Sequence, residues 1–232
     1  VKKELEQLIK KEKPDVALIL NIFPLITPII YILLKKNKIP IIQRIQDYQF
    51  FCVKRTLFRN KKKCFLCLKK KFKYPSIFFG CYQNSRLGSF IFSLSLYFYQ
   101  LIGAYRLIDK FIFPTKFVRN FYIKHSKIKK ENTVIIPTFT DINQIVKEDK
   151  IKIKEKNYFL FYGRLSEEKG IINLLDIFKT LHKIKLIIIG DGPLKYEIIK
   201  KYSKYKNIII KNFQPREKII NYIKKAKAVI IP

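Results

Sequence analysis

The 232-residue sequence has no methionine and no tryptophan, only 7 glycines, and 17 acidic side chains against 49 lysines and arginines. Each shortage narrows the reading. Scarce glycine and absent Met and Trp, alongside abundant Lys, Ile, Asn, Tyr and Phe, point to a genome-wide compositional bias. The formal net charge of +32 favours phosphates, nucleic acid or acidic lipid headgroups, but with that bias it identifies no partner by itself. No segment repeats at a solenoid period, which excludes a repeat architecture. No basic start, apolar run and small-residue cleavage site appears, so no secretory leader is read. Val1 stands where a methionine would start a chain and Ala228 to Pro232 read as a strand's end, so the sequence is expected to be a piece of a longer one. What is present in quantity is hydrophobic side chains, at 48%, ample for packed cores and incompatible with general disorder.

Short apolar runs alternate with helical patterns. Asp15 to Leu20 has strand length, Phe23 to Leu34 reads as a helix, and Ile39 to Ile42 is strand-like again. Strands apolar on both faces belong in a parallel sheet covered by helices. Residues 50–86 are rich in Lys, Phe and Cys without a clean period and are read as an irregular insertion. Lys110 to Pro114 and Thr133 to Ile136 are further strands, with a helix over Lys116 to Ile123 between them. Residues 139–156 turn polar and lose periodicity, so a linker is expected there, between domains at 1–138 and 157–232.

The last part is the most regular. Tyr158 to Tyr162 is strand-like, and Ile171, Leu174, Leu175, Phe178 and Leu181 share one helical face. Leu186 to Ile189 is a second strand, closed by Gly190-Asp191-Gly192-Pro193. Leu194, Ile198 and Tyr202 mark a helix, Ile208 to Ile210 a third strand, Pro215 the start of a helix to Lys225, and Ala228 to Ile231 a fourth strand. Four strands separated by three helices make a Rossmann-like half.

In such sheets ligands sit outside the carboxyl ends of the strands, where helices begin and unpaired N–H groups face the crevice. That rule selects Gly163-Arg164-Leu165-Ser166-Glu167-Glu168-Lys169-Gly170. Arg164 offers a planar fork for bidentate phosphate contact, Lys169 a mobile point charge, and a helix start a fixed partial positive charge. Gly163 would let the backbone come close to a ligand. The plain alternative is two solvated surface cations beside a helix capped by Ser166.

Phe161 to Gly170, followed by an apolar helix, a strand and Gly190-Asp-Gly-Pro193, resembles the family 4 glycosyltransferases in residues and spacing. Phe213-Gln-Pro-Arg-Glu-Lys218, Phe113-Pro-Thr-Lys-Phe-Val118, Thr133 to Pro137 and Pro40 to Tyr48 extend the resemblance over nearly the whole chain. It implies a GT-B fold of two Rossmann-like domains with parallel sheets, acceptor-side first and nucleotide-sugar-binding second. It also implies a retaining transferase acting in polysaccharide or glycolipid assembly. The substrates would be a nucleotide-sugar donor and a glycan or lipid-linked acceptor. Gly163, Arg164 and Lys169 would hold the donor diphosphate, and Gly190, Asp191 and Gly192 would lie near the base. Where that family has His-Asp before an aromatic residue, to contact the donor sugar, this chain has Gln46-Asp47-Tyr48, and Gln46 cannot titrate. The family's paired glutamates and its glycine-rich acceptor loop are not among these 232 residues, so this stretch alone is expected to be inactive. With no Asp-x-Asp pair, no catalytic metal is expected.

The cysteines are confined to Cys52-x11-Cys64-x2-Cys67-x13-Cys81. One close pair with two flanking thiols fits a four-sulfur zinc site of structural kind; reduced thiols and, less readily in a cytoplasmic chain, disulfides remain open. The resemblance implies a structural role for them. His125 and His182, among lysines near helix ends, are read as solvated. Leu87 to Tyr105 runs nineteen residues without a charge, just short of the length that spans a bilayer, about 20. Its serines dilute it, so a core or interfacial helix is expected, the latter in peripheral contact with an anionic membrane at its inner face. Two alternatives stand beside the transferase: another GT-B enzyme of epimerase or phosphorylase type, and a basic zinc-containing nucleic-acid-binding module. Against the second, basic residues are spread along the chain and no nucleic-acid signature appears, so no nucleic-acid partner is expected.

Overall fold

The computed structural model describes residues 2–23, 25–139 and 157–232. The expected linker therefore lies, apart from Phe139, outside the described residues. The chain divides into two compact units, Val1–Phe139 and Thr140–Pro232.

In the N-terminal unit, β1 (Ala17–Ile19), β2 (Ile41–Arg44), β5 (Lys110–Phe113) and β6 (Thr133–Ile135) form a parallel sheet in the order β1-β2-β5-β6. Helix α1 (Lys2–Glu12) precedes them and escapes sequence reading. Its charged residues hide a thin apolar stripe, of which Ile9 is buried and Leu8 exposed. Helix α2 (Ile29–Lys36) begins only after Pro28, later than the apolar run suggested, because a proline is tolerated at a helix start but not within its regular turns. A buried polar knot ties this helix to the sheet. Tyr31 Oη donates to Gln43 Oε1 at 2.6 Å, and Gln43 Nε2 donates to the carbonyls of Leu20 and Arg44 at 2.9 and 2.8 Å. Both side chains are fully buried, and these bonds satisfy them.

The stretch read as irregular contains regular structure. A hairpin joins β3 (Phe58–Arg59) and β4 (Lys62–Lys63), and its two linking residues, Asn60 and Lys61, both adopt positive φ, 49° and 58°. That is the backbone a two-residue hairpin turn demands. Strands of two residues are too short to show a period, which is why the sequence hides them. A short helix, α3 (Pro75–Phe78), then packs against α4 (Arg86–Leu101). Ser85 caps α4 by accepting the Gly88 N–H.

Helix α4 is polarised. Its serines face inward: Ser93 Oγ and Ser76 Oγ share a hydrogen bond at 2.9 Å, and Ser89 Oγ accepts the Tyr82 N–H at 2.9 Å. Leu87, Ile91, Leu94, Phe98 and Leu101 face outward and are exposed. Among the described residues no helix is long and apolar enough to cross a membrane. After α5 (Lys116–His125), the chain reaches β6 through a single 3-10 turn. His125 departs from the solvated state expected of it: its ring lies 4.7 Å from that of Phe121. His182 is exposed.

The C-terminal unit matches the sequence reading closely. Strands β7 (Tyr158–Tyr162), β8 (Lys185–Ile189), β9 (Ile208–Lys211) and β10 (Ala228–Val229) are all parallel, in the order β10-β7-β8-β9. Helices α6 (Ile171–Phe178), α7 (Lys195–Tyr202) and α8 (Arg216–Lys225) connect them. Alternating strand residues serve opposite faces of the sheet. Phe161, Leu186 and Ile188 pack with α6 and α7 residues, while Tyr158, Leu160, Ile187 and Ile189 pack with Tyr222 of α8. Burial on both faces explains the unbroken apolar runs of β7 and β8. Asn207, buried, donates to the carbonyls of Phe178, Leu181 and Ile184 at 2.8, 3.1 and 3.2 Å, closing the exit of α6. Sequence pattern gave no sign of this staple, because an isolated polar residue before a strand looks like an ordinary turn.

Candidate functional site

The strand order decides where a ligand would sit. From β7 the chain moves to β8 and β9 on one side, then returns to place β10 on the other side of β7. The carboxyl end of β7 is therefore the point where the winding reverses, the place where open α/β sheets take their ligands. Gly163 to Gly170 occupies this end, and a Cβ built on Gly170 would come within 3.1 Å of Pro232, just past β10.

Two segments that the sequence marks separately, 163–165 and 190–192, are joined backbone to backbone. Gly163 N–H donates to the Ile189 carbonyl at 3.0 Å, Leu165 N–H to the Asp191 carbonyl at 2.8 Å, and Leu194 N–H to the Leu165 carbonyl at 3.0 Å. The contact leaves no room for side chains. A Cβ on Gly190 would lie 1.9 Å from the Gly163 carbonyl oxygen, and one on Gly192 would lie 2.5 Å from that of Leu165. Close approach thus belongs to Gly190 and Gly192, which seal loop to loop. At Gly163 a Cβ would meet only Phe161, at 3.9 Å; its φ of +149° is what calls for glycine there.

The cations stand clear of this seam. Arg164 and Lys169 are exposed, and no described acidic side chain pairs with either. The acids nearby are otherwise employed: Ser166 Oγ donates to Glu168 Oε1 at 2.6 Å, so Ser166 does not cap a helix N–H as expected. A 3-10 turn over Glu167–Lys169 comes next, and Gly170, at φ 67°, is the residue that opens α6. Asp191 accepts the Gly192 N–H at 2.8 Å and pairs with Lys195 at 2.7 Å. The Lys195 ammonium, and then the Gly192 N–H, hold its carboxyl below the usual range. Phe213, just past β9, is 72% exposed, an aromatic face at the same end of the sheet that composition alone did not single out.

Gln46 and Asp47 leave the carboxyl end of β2 in the N-terminal unit. Gln46 is exposed, whereas Asp47 is half-buried. Asp47 Oδ1 accepts the Gln49 N–H at 2.9 Å, its carbonyl accepts from Tyr122 Oη at 2.6 Å, and Arg55 stands 3.6 Å from Oδ2. Burial raises its carboxyl above the usual range in spite of the Gln49 N–H and the Arg55 charge. Arg55 also donates to the Phe23 carbonyl at 3.1 Å. Asp47 is thus the knot of a loop, and Gln46 is the side chain that loop presents.

Cys52, Cys64, Cys67 and Cys81 all line one small pocket of about 20 Å³, together with Leu57, Arg59 and Ser76. All four are free thiols, partly buried. Burial pushes Cys67 up to about 11 and raises Cys52 and Cys81 as well. Among the described residues no group of three or more His, Cys, Asp or Glu is placed to hold a metal ion.

The comparisons with known proteins agree with this layout. Residues 143–232 match the family profile described as "Glycosyl transferases group 1". Over 107 residues the chain is 33% identical to the amylovoran biosynthesis glycosyltransferase AmsD of Erwinia amylovora, covering 45% of this chain and 30% of that protein. Among solved structures, Anabaena HepE in complex with UDP superposes with a TM-score of 0.59 at 14% identity, over 98% of this chain and 55% of HepE. The fold is GT-B. A UDP-GlcNAc 2-epimerase from Neisseria meningitidis bound to UDP-GlcNAc shares it, with a TM-score of 0.51 at 12% identity, covering 98% of this chain and 56% of the epimerase. The chain spans about half the length of these solved structures.

Proposed function

We propose that the protein containing this chain transfers a sugar from a nucleotide-sugar donor to a glycan or lipid-linked acceptor in polysaccharide or glycolipid assembly, with retention of anomeric configuration. The observation that carries the reading is the pair of exposed cations, Arg164 and Lys169, without described acidic partners, at the strand end where the sheet reverses direction. In this reading Gly163, Arg164 and Lys169 hold the donor diphosphate. Charge that builds on the leaving phosphate oxygens meets a guanidinium and an ammonium already in place, which lowers the barrier to departure. That role leaves no need for a catalytic metal. The turn at Gly190, Asp191 and Gly192 sets the floor of the nucleotide site, and the exposed Phe213 ring offers a stacking face for the base.

Gln46 would hydrogen-bond the donor sugar near the reacting carbon, as donor or acceptor but not as a proton shuttle. Asp47 works through it, by fixing the loop that presents it. Calorimetric titration of the full-length protein with UDP and GDP tests the diphosphate site. Loss of binding in Arg164→Ala and Lys169→Ala is the expected result, and unchanged affinity would overturn the assignment.

An epimerase would use the same fold, so the fold does not separate the two activities; the profile match and the likeness to AmsD favour transfer. Incubation with a labelled donor separates them, since a transferase releases nucleoside diphosphate and an epimerase does not. The outward face of α4 supports an acceptor held in a membrane: Leu87, Ile91, Leu94, Phe98 and Leu101 are exposed, and Lys69, Lys70 and Lys71 are exposed just before the α3–α4 pair. Apolar side chains beside lysines suit an anionic bilayer surface at its inner face. Flotation with phosphatidylglycerol vesicles at low salt is expected to carry the full-length protein, and absence of binding would remove the membrane from the reading.

A further inference from the structure

We propose that Cys52, Cys64, Cys67 and Cys81 form a structural zinc site that clasps the insertion between β2 and β5. The four thiols come from four separate places: the loop after β2, the residue following the β3–β4 hairpin, the turn three residues later, and the residue after Gly80 beyond α3. The fold brings all four to the wall of one pocket. Its volume of about 20 Å³ accommodates a single occupant of water or ion size. Cysteines scattered in a reduced core have no reason to meet in this way, and they are absent from the rest of the chain.

Two cations stand close to the cysteines. The Arg55 N–H donates to the Cys52 carbonyl and the Ser76 N–H to the Lys73 carbonyl, at 3.0 Å each, which ties the backbone around the thiols. Arg59 lines the same pocket, stacked on Phe79 with its guanidinium carbon 3.6 Å from the ring centroid, and its Nε–H is buried without an acceptor. Lys73 is 4% exposed and donates to the carbonyls of Cys67 and Lys70. Four thiolates on one Zn²⁺ leave a net double negative charge, and these two cations offset it.

Binding converts four S–H groups to zinc–sulfur bonds of about 2.3 Å and releases their protons, with no change in oxidation state. Because the thiols share the pocket without forming a ready metal set, loading must turn their side chains inward. The site then fastens the hairpin to α3 and α4.

The test uses the full-length protein, purified without chelator from zinc-supplemented medium. Elemental analysis is expected to give about one zinc per chain, with all four thiols slow to react with a disulfide reagent until the metal is removed. Cobalt exchanged into the same protein is expected to show sulfur-to-cobalt charge transfer and the intense visible bands of tetrahedral coordination. Cys64→Ser and Cys67→Ser are each expected to weaken metal retention by about 100-fold or more, beyond what outer-shell changes cost. If a variant does not fold, the cobalt spectrum of the unaltered protein still decides. Folded protein with four freely reactive thiols and less than about a tenth of an equivalent of zinc would overturn the site. So would a disulfide between any two of the four, an octahedral cobalt spectrum, or zinc that both serine variants retain.

Discussion

The N-terminal and C-terminal units are built from the same strand–helix–strand pattern, but they finish their strands differently. In the C-terminal unit the loops leaving β7 and β8 are cut down to glycines, locked to each other through backbone bonds, and topped by two cations with no described acidic partner. In the N-terminal unit the loop leaving β2 swells into an insertion running to β5. Two of its charged residues are tied inward, Asp47 to Gln49, Tyr122 and Arg55, and Lys73 to two carbonyls, while Gln46 and the lysines at 69–71 stay exposed. A charge consumed internally, as at Asp47, serves the scaffold; a charge left over on a loop whose backbone is satisfied is free to meet a ligand. On this difference the donor site is assigned, in the proposed reading, to the second unit.

The seam between the two C-terminal loops gives the largest expected effect. Gly190→Ala places a methyl 1.9 Å from the Gly163 carbonyl, and should cost about 3 kcal/mol, the upper end of ordinary overpacking, because backbone rather than a flexible side chain must move. Gly163→Ala, with open space but an unfavourable φ, should cost only about 1–2 kcal/mol. Urea midpoints of both variants check the order. Equal losses would mean that the loops are not sealed where the geometry places the seal.

Next in size is the loss of ligand affinity. Arg164→Ala should weaken UDP binding by roughly 10- to 100-fold, the equivalent of one or two charge-assisted hydrogen bonds, and leave the melting temperature unchanged. Lys169→Ala should show a smaller loss, since a point charge is more easily replaced by solvent than a fork. A fall in melting temperature instead of affinity would turn these cations into scaffold and erase the contrast between the units.

A smaller effect lies in the pH dependence of the N-terminal unit. Asp109 bonds to Lys35 at 2.6 Å and to the Ile41 N–H at 2.7 Å. Burial works against the ionised form, but these partners prevail and hold the carboxyl below the usual range. Its contribution to stability is therefore present above the unfolded carboxylate value, about 3.9, and is lost as pH falls through the lowered one. Asp47 is raised by burial, so its sign is opposite: stability falls as pH rises from the unfolded value through the raised one. Urea midpoints between about pH 3 and 7 should show Asp109→Asn losing stability on the neutral side and Asp47→Asn flattening the decline. The two variants moving in the same direction would contradict both environments.

The smallest effect is expected of Lys195→Ala. It removes the half-buried partner of an exposed Asp191, an interaction largely screened by water. The melting temperature should not move measurably, while UDP affinity reports whether Asp191 needs that partner to keep its turn.

The parallel strands of the second unit were legible because burial on both faces writes them as unbroken apolar runs, Tyr158 to Tyr162 and Leu186 to Ile189, punctuated by glycine. The α/β class and the loop at Gly163 to Gly170 come from that pattern and from the rule that ligands sit at carboxyl ends. The hairpin at Phe58 to Lys63 was not legible because two-residue strands show no period, and the inward serines of α4 and the Asn207 staple were not because each depends on a partner elsewhere in the chain. What the sequence determined by itself is where strands and cations lie along the chain, because local periodicity and residue chemistry encode both. Tertiary structure alone decided that Gly190 and Gly192 press against the loop after β7, that Asp47 is consumed while Arg164 is not, and that four cysteines share one pocket. Those outcomes depend on which segments the parallel sheets and their connections bring side by side, and no short stretch of sequence contains that information.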